Sequence, residues 1–353
     1  QAPTAEQWRL CASCHHGERQ IPGELPGDAC PRCKDGDWKD QERLRWLIEF
    51  RKAWSTSTMA EASTADESDD REQESYRLLE LIEVEEGAQT GEARLIETDD
   101  MVFGYELLPR ATLREINFGR QRDLSTATPI AGEHIEQRGF QVCTACGRVQ
   151  DSPPPGVTAK SEHLPWCKVR TAGAPEDFVA VGLYRHNTSE AIRVLLPVAD
   201  HEVGEVLNSV RAALELGFRR KFGGQPAHLR ITTMSEPAGA SRQRFLVIYD
   251  TVPGGTGYLA ELWRQGELFT VMDLALQAMK RCRCVALDGL DGCYRCVYAH
   301  QHQRELASIS RKRAVELFEA ILSKRETWKR TEQCGARETF QAMMSGVSLS
   351  SIH

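Results

Sequence analysis

The sequence lacks the motifs that mark most catalytic folds. It has no Walker loop ending in Gly-Lys-Ser/Thr, no dinucleotide-binding glycine spacing, no HExxH pair and no nucleophile elbow. An acidic metal-binding box and an arginine-finger context are missing too, so no ATPase machinery is encoded here. No apolar run approaches the length of a membrane span, and the first residues form no apolar signal segment. The expectation is therefore a cytoplasmic chain with no membrane partner. A basic excess is also absent. Lys plus Arg total 44 against 51 for Asp plus Glu, a net charge of −7. That excludes a uniformly basic nucleic-acid surface and leaves room only for local patches.

What is present is globular. Apolar residues make up 41% and charged residues 27% of 353, enough for about two domains with a sizeable core. The first residue is Gln, and the chain reads as a portion of something larger. Twelve cysteines are too few for a dense disulfide scaffold at this length and too many to be incidental. Charge is uneven: residues 61–100 hold 15 acidic and 3 basic residues, and the remainder is net basic. The stretch 59–75 reads as a solvated linker, with an acidic flap that mimics nucleic acid as the sharper alternative.

Periodicity gives a coarse map. Residues 1–58 form a four-cysteine unit followed by an amphipathic helix over 41–54. Residues 59–100 form the acidic linker and a following helix, within SYRLLELIEVEEG. Residues 101–176 are strand-rich and carry a second cysteine unit. From 177 to 330, strands FVAVGLYRH, EAIRVLLPV, HLRITTMSE and RQRFLVIYD alternate with helical stretches, and a third cysteine unit follows. A tail occupies 331–353. The fold class expected is α/β, with α+β as the alternative: a mixed sheet with flanking helices, elaborated by small structural zinc units.

The cysteines fall into three groups. Cys11-Ala-Ser-Cys14 and Cys30-Pro-Arg-Cys33 are two pairs separated by a short loop, a set of four soft donors suited to tetrahedral zinc. Iron and a disulfide are the competing readings. His15 and His16 stand beside this set as exposed or outer residues. Cys143-Thr-Ala-Cys146 with His163-Leu-Pro-Trp-Cys167 gives a three-cysteine, one-histidine set. A redox-active pair with a surface histidine is its alternative. Cys282-Arg-Cys284 with Cys293-Tyr-Arg-Cys296 is a third four-thiolate set, surrounded by Arg281, Arg283 and Arg295. Two or three structural Zn2+ ions are expected. Four filled positions leave no place for an activated water, so none of the three is read as catalytic.

Residues 248–259, IYDTVPGGTGYL, place an apolar strand ending in an acid and then a glycine-rich turn ahead of a helix. Gly254, Gly255, Thr256 and Gly257 are read either as a structural turn or as a phosphate contact made by free N–H groups. Asp250 as the acid of a phosphodiesterase or nuclease is the weakest alternative, because no second carboxylate or base accompanies it. Basic residues concentrate in 277–330, with 12 Lys plus Arg against 6 acidic residues. Arg311, Lys312 and Arg313 open the last helix, Arg219, Arg220 and Lys221 close an earlier one, and Arg281 and Arg283 flank the third cysteine set. Ordinary helix-end charge is one reading of these residues and a phosphate-tracking face the other. Trp263, Tyr294, Tyr298 and Trp328 are candidates for base stacking or for the core.

IYDTVPGGTGYL followed by CRCVALDGLDGCYRC resembles the MrfA-type zinc-binding domain. That domain is found at the C-terminus of certain superfamily-two DNA helicases and in the DrmB subunit of the DISARM phage-defence system. ELLPRATLREINFG, at 106–119, and the Cys143/Cys146/His163/Cys167 set resemble the region preceding it, so the likeness runs over roughly 100–325. The resemblance implies that Cys282, Cys284, Cys293 and Cys296 hold zinc. It also implies a role in ATP-dependent DNA translocation or unwinding, in repair or antiviral defence. The two motor domains are missing, so ATP and Mg2+ would enter only through a motor elsewhere in the same protein or in a partner subunit. The resulting expectation is an accessory region that braces the motor and guides single-stranded or forked DNA. A zinc-stabilised protein-interaction scaffold is the alternative from a different class.

Overall fold

The computed structural model describes residues 5–50, 76–84, 93–98, 101–120, 127–137, 139–150, 163–172, 178–197, 203–224, 226–238, 241–264, 266–287, 289–298, 306–325 and 329–330. The acidic stretch 59–75, the tail 331–353, Trp328 and Cys334 lie outside the described residues. Fourteen strands and five α-helices are present among those described. In chain order they begin with β1 (Glu6–Leu10), β2 (Gly17–Arg19), β3 (Leu44–Glu49), β4 (Tyr76–Val84), β5 (Ala93–Thr98) and β6 (Met101–Arg120). There follow β7 (Thr128–Ile130), β8 (Glu133–Ile135), β9 (Phe140–Cys143), β10 (Val149–Gln150), α1 (Lys168–Ala172) and β11 (Phe178–Leu195). The rest are α2 (Val203–Phe222), β12 (Leu229–Ala238), β13 (Ser241–Asp250), α3 (Tyr258–Arg264), α4 (Glu267–Lys280), α5 (Arg311–Ser323) and β14 (Lys329–Arg330). The class is mixed α/β, as the pattern of the sequence suggested.

The chain forms two compact units and visits each twice. One comprises Gln1–Leu81 and Arg114–His186, the other Ile82–Leu113 and Asn187–His353. In the first unit β1 runs antiparallel to both β2 and β3. Gly182–Tyr184 of β11 lie parallel to β3, and the start of β11 pairs antiparallel with β9. Trp8, Leu10, Leu47, Leu79, Leu81, Phe118 and Tyr184 fill the core of this unit.

Two segments expected as helices are strands. Of the segment 41–54, the described residues 41–50 form a short 3-10 turn, Gln41–Arg43, and then β3, and 51–54 lie outside the described residues. Residues 76–84 are β4, where Leu79 and Leu81 are buried while Leu78 faces out. Short apolar runs of this kind do not distinguish the two periods, and here pairing partners decide.

In the second unit β11 pairs antiparallel with β13, and β13 with β12 over ten residues. Alternate side chains of β11 and β13 enter different cores. Ile192, Val194, Leu246 and Ile248 pack toward Val210 and Leu214 of α2 and toward Leu268, Phe269 and Met272 of α4. Ala191, Leu195, Phe245, Val247 and Tyr249 fill a second cluster with Leu108, Ala111 and Met234. This two-sided burial explains the unbroken apolar run FLVIY. Arg193 is placed among these strands with 5% exposure, and its guanidinium donates to the Glu106 carboxylate of β6 at 2.7 Å. Burial pushes the Glu106 carboxyl up, and Arg193 opposes that shift.

Helices α2 and α4 approach at Gly217. A Cβ there would stand 2.3 Å from the Val271 carbonyl oxygen, so only hydrogen fits between the two backbones. Gly217→Ala therefore forces the helices apart. Overpacking costs about 1–3 kcal/mol, and the better helix propensity of alanine returns only about 1 kcal/mol. A lowered urea midpoint at unchanged slope is the expected result.

Candidate metal centres

The structure gathers eleven cysteines and one histidine into three groups: Cys11/Cys14/Cys30/Cys33, Cys143/Cys146/His163/Cys167 and Cys282/Cys284/Cys293/Cys296. Within each group the four ligand atoms lie within 4.8 Å of one another. The local backbone explains the convergence. In the first group the Cys11 N–H donates to the His16 carbonyl and the Cys30 N–H to the Asp35 carbonyl, each five residues ahead. Cys143 makes the same bond to Arg148. Each closes a tight hairpin that turns two cysteines inward. The third group uses a 3-10 turn, Arg283–Ala286, and the Cys296 and Tyr298 N–H groups both donate to the Cys293 carbonyl.

The spacing of the donors suits zinc. A Zn–S bond of about 2.3 Å in a tetrahedron sets sulfurs about 3.8 Å apart. The sulfurs of Cys11 and Cys33 are 3.5 Å apart and those of Cys14 and Cys30 are 3.7 Å apart. Cys143 and Cys167 stand at 3.9 Å, Cys282 and Cys293 at 3.4 Å, and Cys284 and Cys296 at 3.7 Å. A disulfide, near 2.0 Å, is excluded for every one of these pairs. His163 presents Nδ1 to Cys146 at 3.7 Å and to Cys167 at 3.5 Å, while its ring stacks on Phe178. His15 is buried rather than exposed, and His16 packs against Trp38. Neither enters the ligand group.

The thiols do not share their protons evenly. Hydrogen bonds from Cys11, Cys14 and Cys33 hold Cys30 well below the ordinary thiol range. Those from Cys11 and Cys14 bring Cys33 to about 7, while Cys14 is driven up by the same neighbours. In the third group burial raises Cys284 to about 11. Cys282 falls to about 7, because the Cys284 N–H and the neighbouring thiols outweigh its burial. Four thiolates at this separation repel, and a divalent cation is the charge that would let all four ionise.

The glycine turn has a different role from the phosphate contact offered as one of its two readings. Asp250, fully buried, accepts from the Val252 N–H and the Thr256 N–H at 2.8 Å each, and from the Thr256 hydroxyl. Glu190 accepts from the Gly257 N–H at 2.9 Å and the Leu259 N–H at 3.3 Å. The Gly254 and Gly255 N–H groups donate to the carbonyls of Thr188 and Val252. Every N–H of Gly254, Gly255, Thr256 and Gly257 is thus used inside the chain. Two carboxylates sit where a phosphate would, which corrects the phosphate reading. Asp250 is a turn-holding residue with its oxygens occupied, which also removes the basis for a nuclease acid.

The basic candidates separate by burial. Arg311 is 8% exposed, with its N–H on the Asp291 carbonyl and its guanidinium 3.9 Å from that carboxylate. Burial and Asp291 thus take Arg311 out of the phosphate-facing set. Lys312 and Arg313 are exposed, and Arg313 pairs with Glu316 at 3.8 Å. Arg219 is half-buried, and Lys221 pairs with Glu267 at 2.7 Å. Arg220 instead joins Arg281, Arg283 and Arg295 around a cleft of about 490 Å3, beside Gln277 and Cys282. All four arginines are exposed, and among the described residues none has an ion-pair partner. Sequence reasoning had no way to join Arg220 to residues 281–295, because α2 and α4 bring them together. Trp263 is buried, Tyr298 half-buried and Tyr294 60% exposed.

Two outcomes follow from this geometry. Elemental analysis should return three zinc ions per chain, falling to two in Cys284→Ser, and acid should release zinc as protons displace it from the thiolates. Asp250→Ala strands two backbone donors and should cost about 2–3 kcal/mol in a denaturant titration.

A family model described as MrfA Zn-binding domain matches residues 210–297. Among solved structures, a crystal structure of DUF1998 helicase MrfA bound to DNA aligns at 15% identity with a TM-score of 0.36. It covers 69% of this chain and 25% of that one. A second, of MrfA bound to DNA and AMPPNP, aligns at 11% identity and TM-score 0.28, over 64% of this chain and 27% of that one. The alignments span about a quarter of the length of those helicases. No curated protein matches. Residues 210–297, from the middle of α2 through the carboxylate-held turn to the third cysteine group, are thus similar to the MrfA Zn-binding domain.

Proposed function

We propose that this chain is a zinc-stabilised accessory region of an ATP-dependent superfamily-two DNA helicase, bracing the motor and guiding single-stranded or forked DNA. ATP and Mg2+ belong to motor domains in the same protein or in a partner subunit. The biological setting is DNA repair or anti-phage defence, in the cytoplasm. The observation that carries the reading is the cleft of Arg220, Arg281, Arg283 and Arg295 within or beside the matched domain. Four guanidinium groups with no carboxylate partner among the described residues suit an anion, and their planar forks match phosphate oxygens. Their position beside Cys282 also offsets the surplus charge of a four-thiolate zinc, so charge balance and phosphate binding act together. Lys312 and Arg313 are exposed cations at the start of α5, and Arg313 is paired with Glu316.

The test is salt-dependent binding of the full chain to single-stranded DNA, followed by fluorescence anisotropy. Replacing Arg281, Arg283 and Arg295 together by Gln should weaken binding. It should also flatten the slope of log affinity against log salt by about 2, at roughly 0.7 per phosphate contact on single strands. Lys312→Gln with Arg313→Gln should cost less. Unchanged affinity and slope in the triple variant would reject the cleft as a phosphate site, leaving charge balance at the metal as its whole role.

A further inference from the structure

Between Cys284 and Cys293 the chain makes an eight-residue loop whose two ends are drawn together by the ligand group. The base of the loop is held firmly. Asp291 accepts from the Ser310 hydroxyl at 2.5 Å, the Lys312 N–H at 2.9 Å and, through its carbonyl, the Arg311 N–H at 3.1 Å. These bonds fix the end of the loop to the first turn of α5. The Leu287 N–H donates to the Cys284 carbonyl and the Leu290 N–H to the Leu287 carbonyl.

Among the described residues here, the large exposed side chains are apolar or aromatic. Val285 is 48% exposed, Leu287 55%, Leu290 48% and, just past Cys293, Tyr294 60%. Large apolar groups scattered singly over a surface need no explanation, but four within ten residues do. Their neighbours identify what they meet. Arg281 and Arg283 precede the loop and Arg295 follows it, and all three line the cationic cleft. Aliphatic tips and an exposed phenol ring, bordered by guanidinium groups, fit a ligand with flat apolar faces and a polyanionic backbone. A protein surface would more often answer such arginines with carboxylates.

We propose that the exposed side chains of Leu287, Leu290 and Tyr294 form a base-unstacking wedge: Leu287 and Leu290 enter between bases at a DNA fork, Tyr294 stacks on an exposed base, and the arginine cleft holds the adjoining phosphates. Apolar side chains inserted between base steps unstack them at a cost of a few kcal/mol per step, which a loop must be stiff to impose. The metal-binding cysteines and Asp291 provide that stiffness. This inference rests on the DNA-guiding role proposed above and assigns the contact to particular side chains.

The test uses forked DNA with 2-aminopurine at the first duplex position, whose fluorescence rises when it unstacks. Anisotropy in the same samples reports binding, and zinc content reports folding. Saturating wild-type chain should raise the fluorescence severalfold. Leu287→Ser with Leu290→Ser should abolish most of that rise while keeping the salt slope and the zinc content, and Tyr294→Ser should reduce it. Because these side chains are exposed, the single variant Leu290→Ser gives a second, milder reading with a partial loss. Saturated binding without a fluorescence rise, or an undiminished rise in the double variant, overturns the wedge and leaves DNA guidance standing. In that case the apolar tip is a docking face for protein. Absence of binding to the fork at low salt overturns both.

Discussion

Everything distinctive in this molecule depends on how sulfur atoms share a small volume. Sulfurs 3.4–3.9 Å apart are too far for disulfides and too close to ionise together without a cation. The chain enforces this crowding by local means: hairpins closed by bonds from one residue to the fifth ahead, and a 3-10 turn in the third group. The backbone therefore presents the ligands before any long-range packing is considered. A bound divalent ion would turn that crowding from a cost into a clamp. The loops between ligands can then be short, polar or even apolar and exposed, because their ends need no hydrophobic core to stay fixed.

A second constraint works with anions in place of cations. The turn after β13 has glycines, a following helix and converging N–H groups, all features of a phosphate cradle. Asp250 and Glu190 fill it from within. Such internal saturation stabilises the join between β13 and α3 and removes the turn from ligand chemistry. Cationic capacity is left instead at the far end of α4. There the helix terminates in Lys280 and Arg281 and leads directly into the cysteine group. The sheet edge is thus electrostatically closed, and the zinc end remains open to an anion.

The sequence made parts of this legible because they are local. Ligand spacing, the apolar run of β13 and the long amphipathic α2 are each written within twenty-odd residues, and each could be found by period or motif. The segments 44–49 and 76–84 are strands where a helix is expected, because Leu47, Ile48, Leu79 and Leu81 are satisfied equally well by a helix face or a sheet face in isolation. Only their strand partners choose between the two. The fate of the basic triplets was equally out of reach. Arg311, Lys312 and Arg313 are neighbours in sequence, yet Asp291 buries the first and leaves the others outside. Arg220 lies sixty residues from Arg281 and shares its cleft. Charge counting located the basic region, but burial and pairing decided which charges are available.

Availability is the quantity that separates a functional cation from a structural one. Lys221 meets Glu267, Arg193 meets Glu106 and Arg311 meets Asp291, so each has its charge answered inside the chain. Among the described residues the cleft arginines have no such carboxylate. Keeping four like charges together on one side of a metal-binding group raises the energy of the free protein by mutual repulsion. A polyanion relieves that repulsion, and it does so more effectively as salt falls. The same argument accounts for the neighbouring apolar loop. A surface that meets only water would gain from polar residues in place of Val285, Leu287 and Leu290, whereas one that meets stacked bases beside their phosphates needs both chemistries side by side.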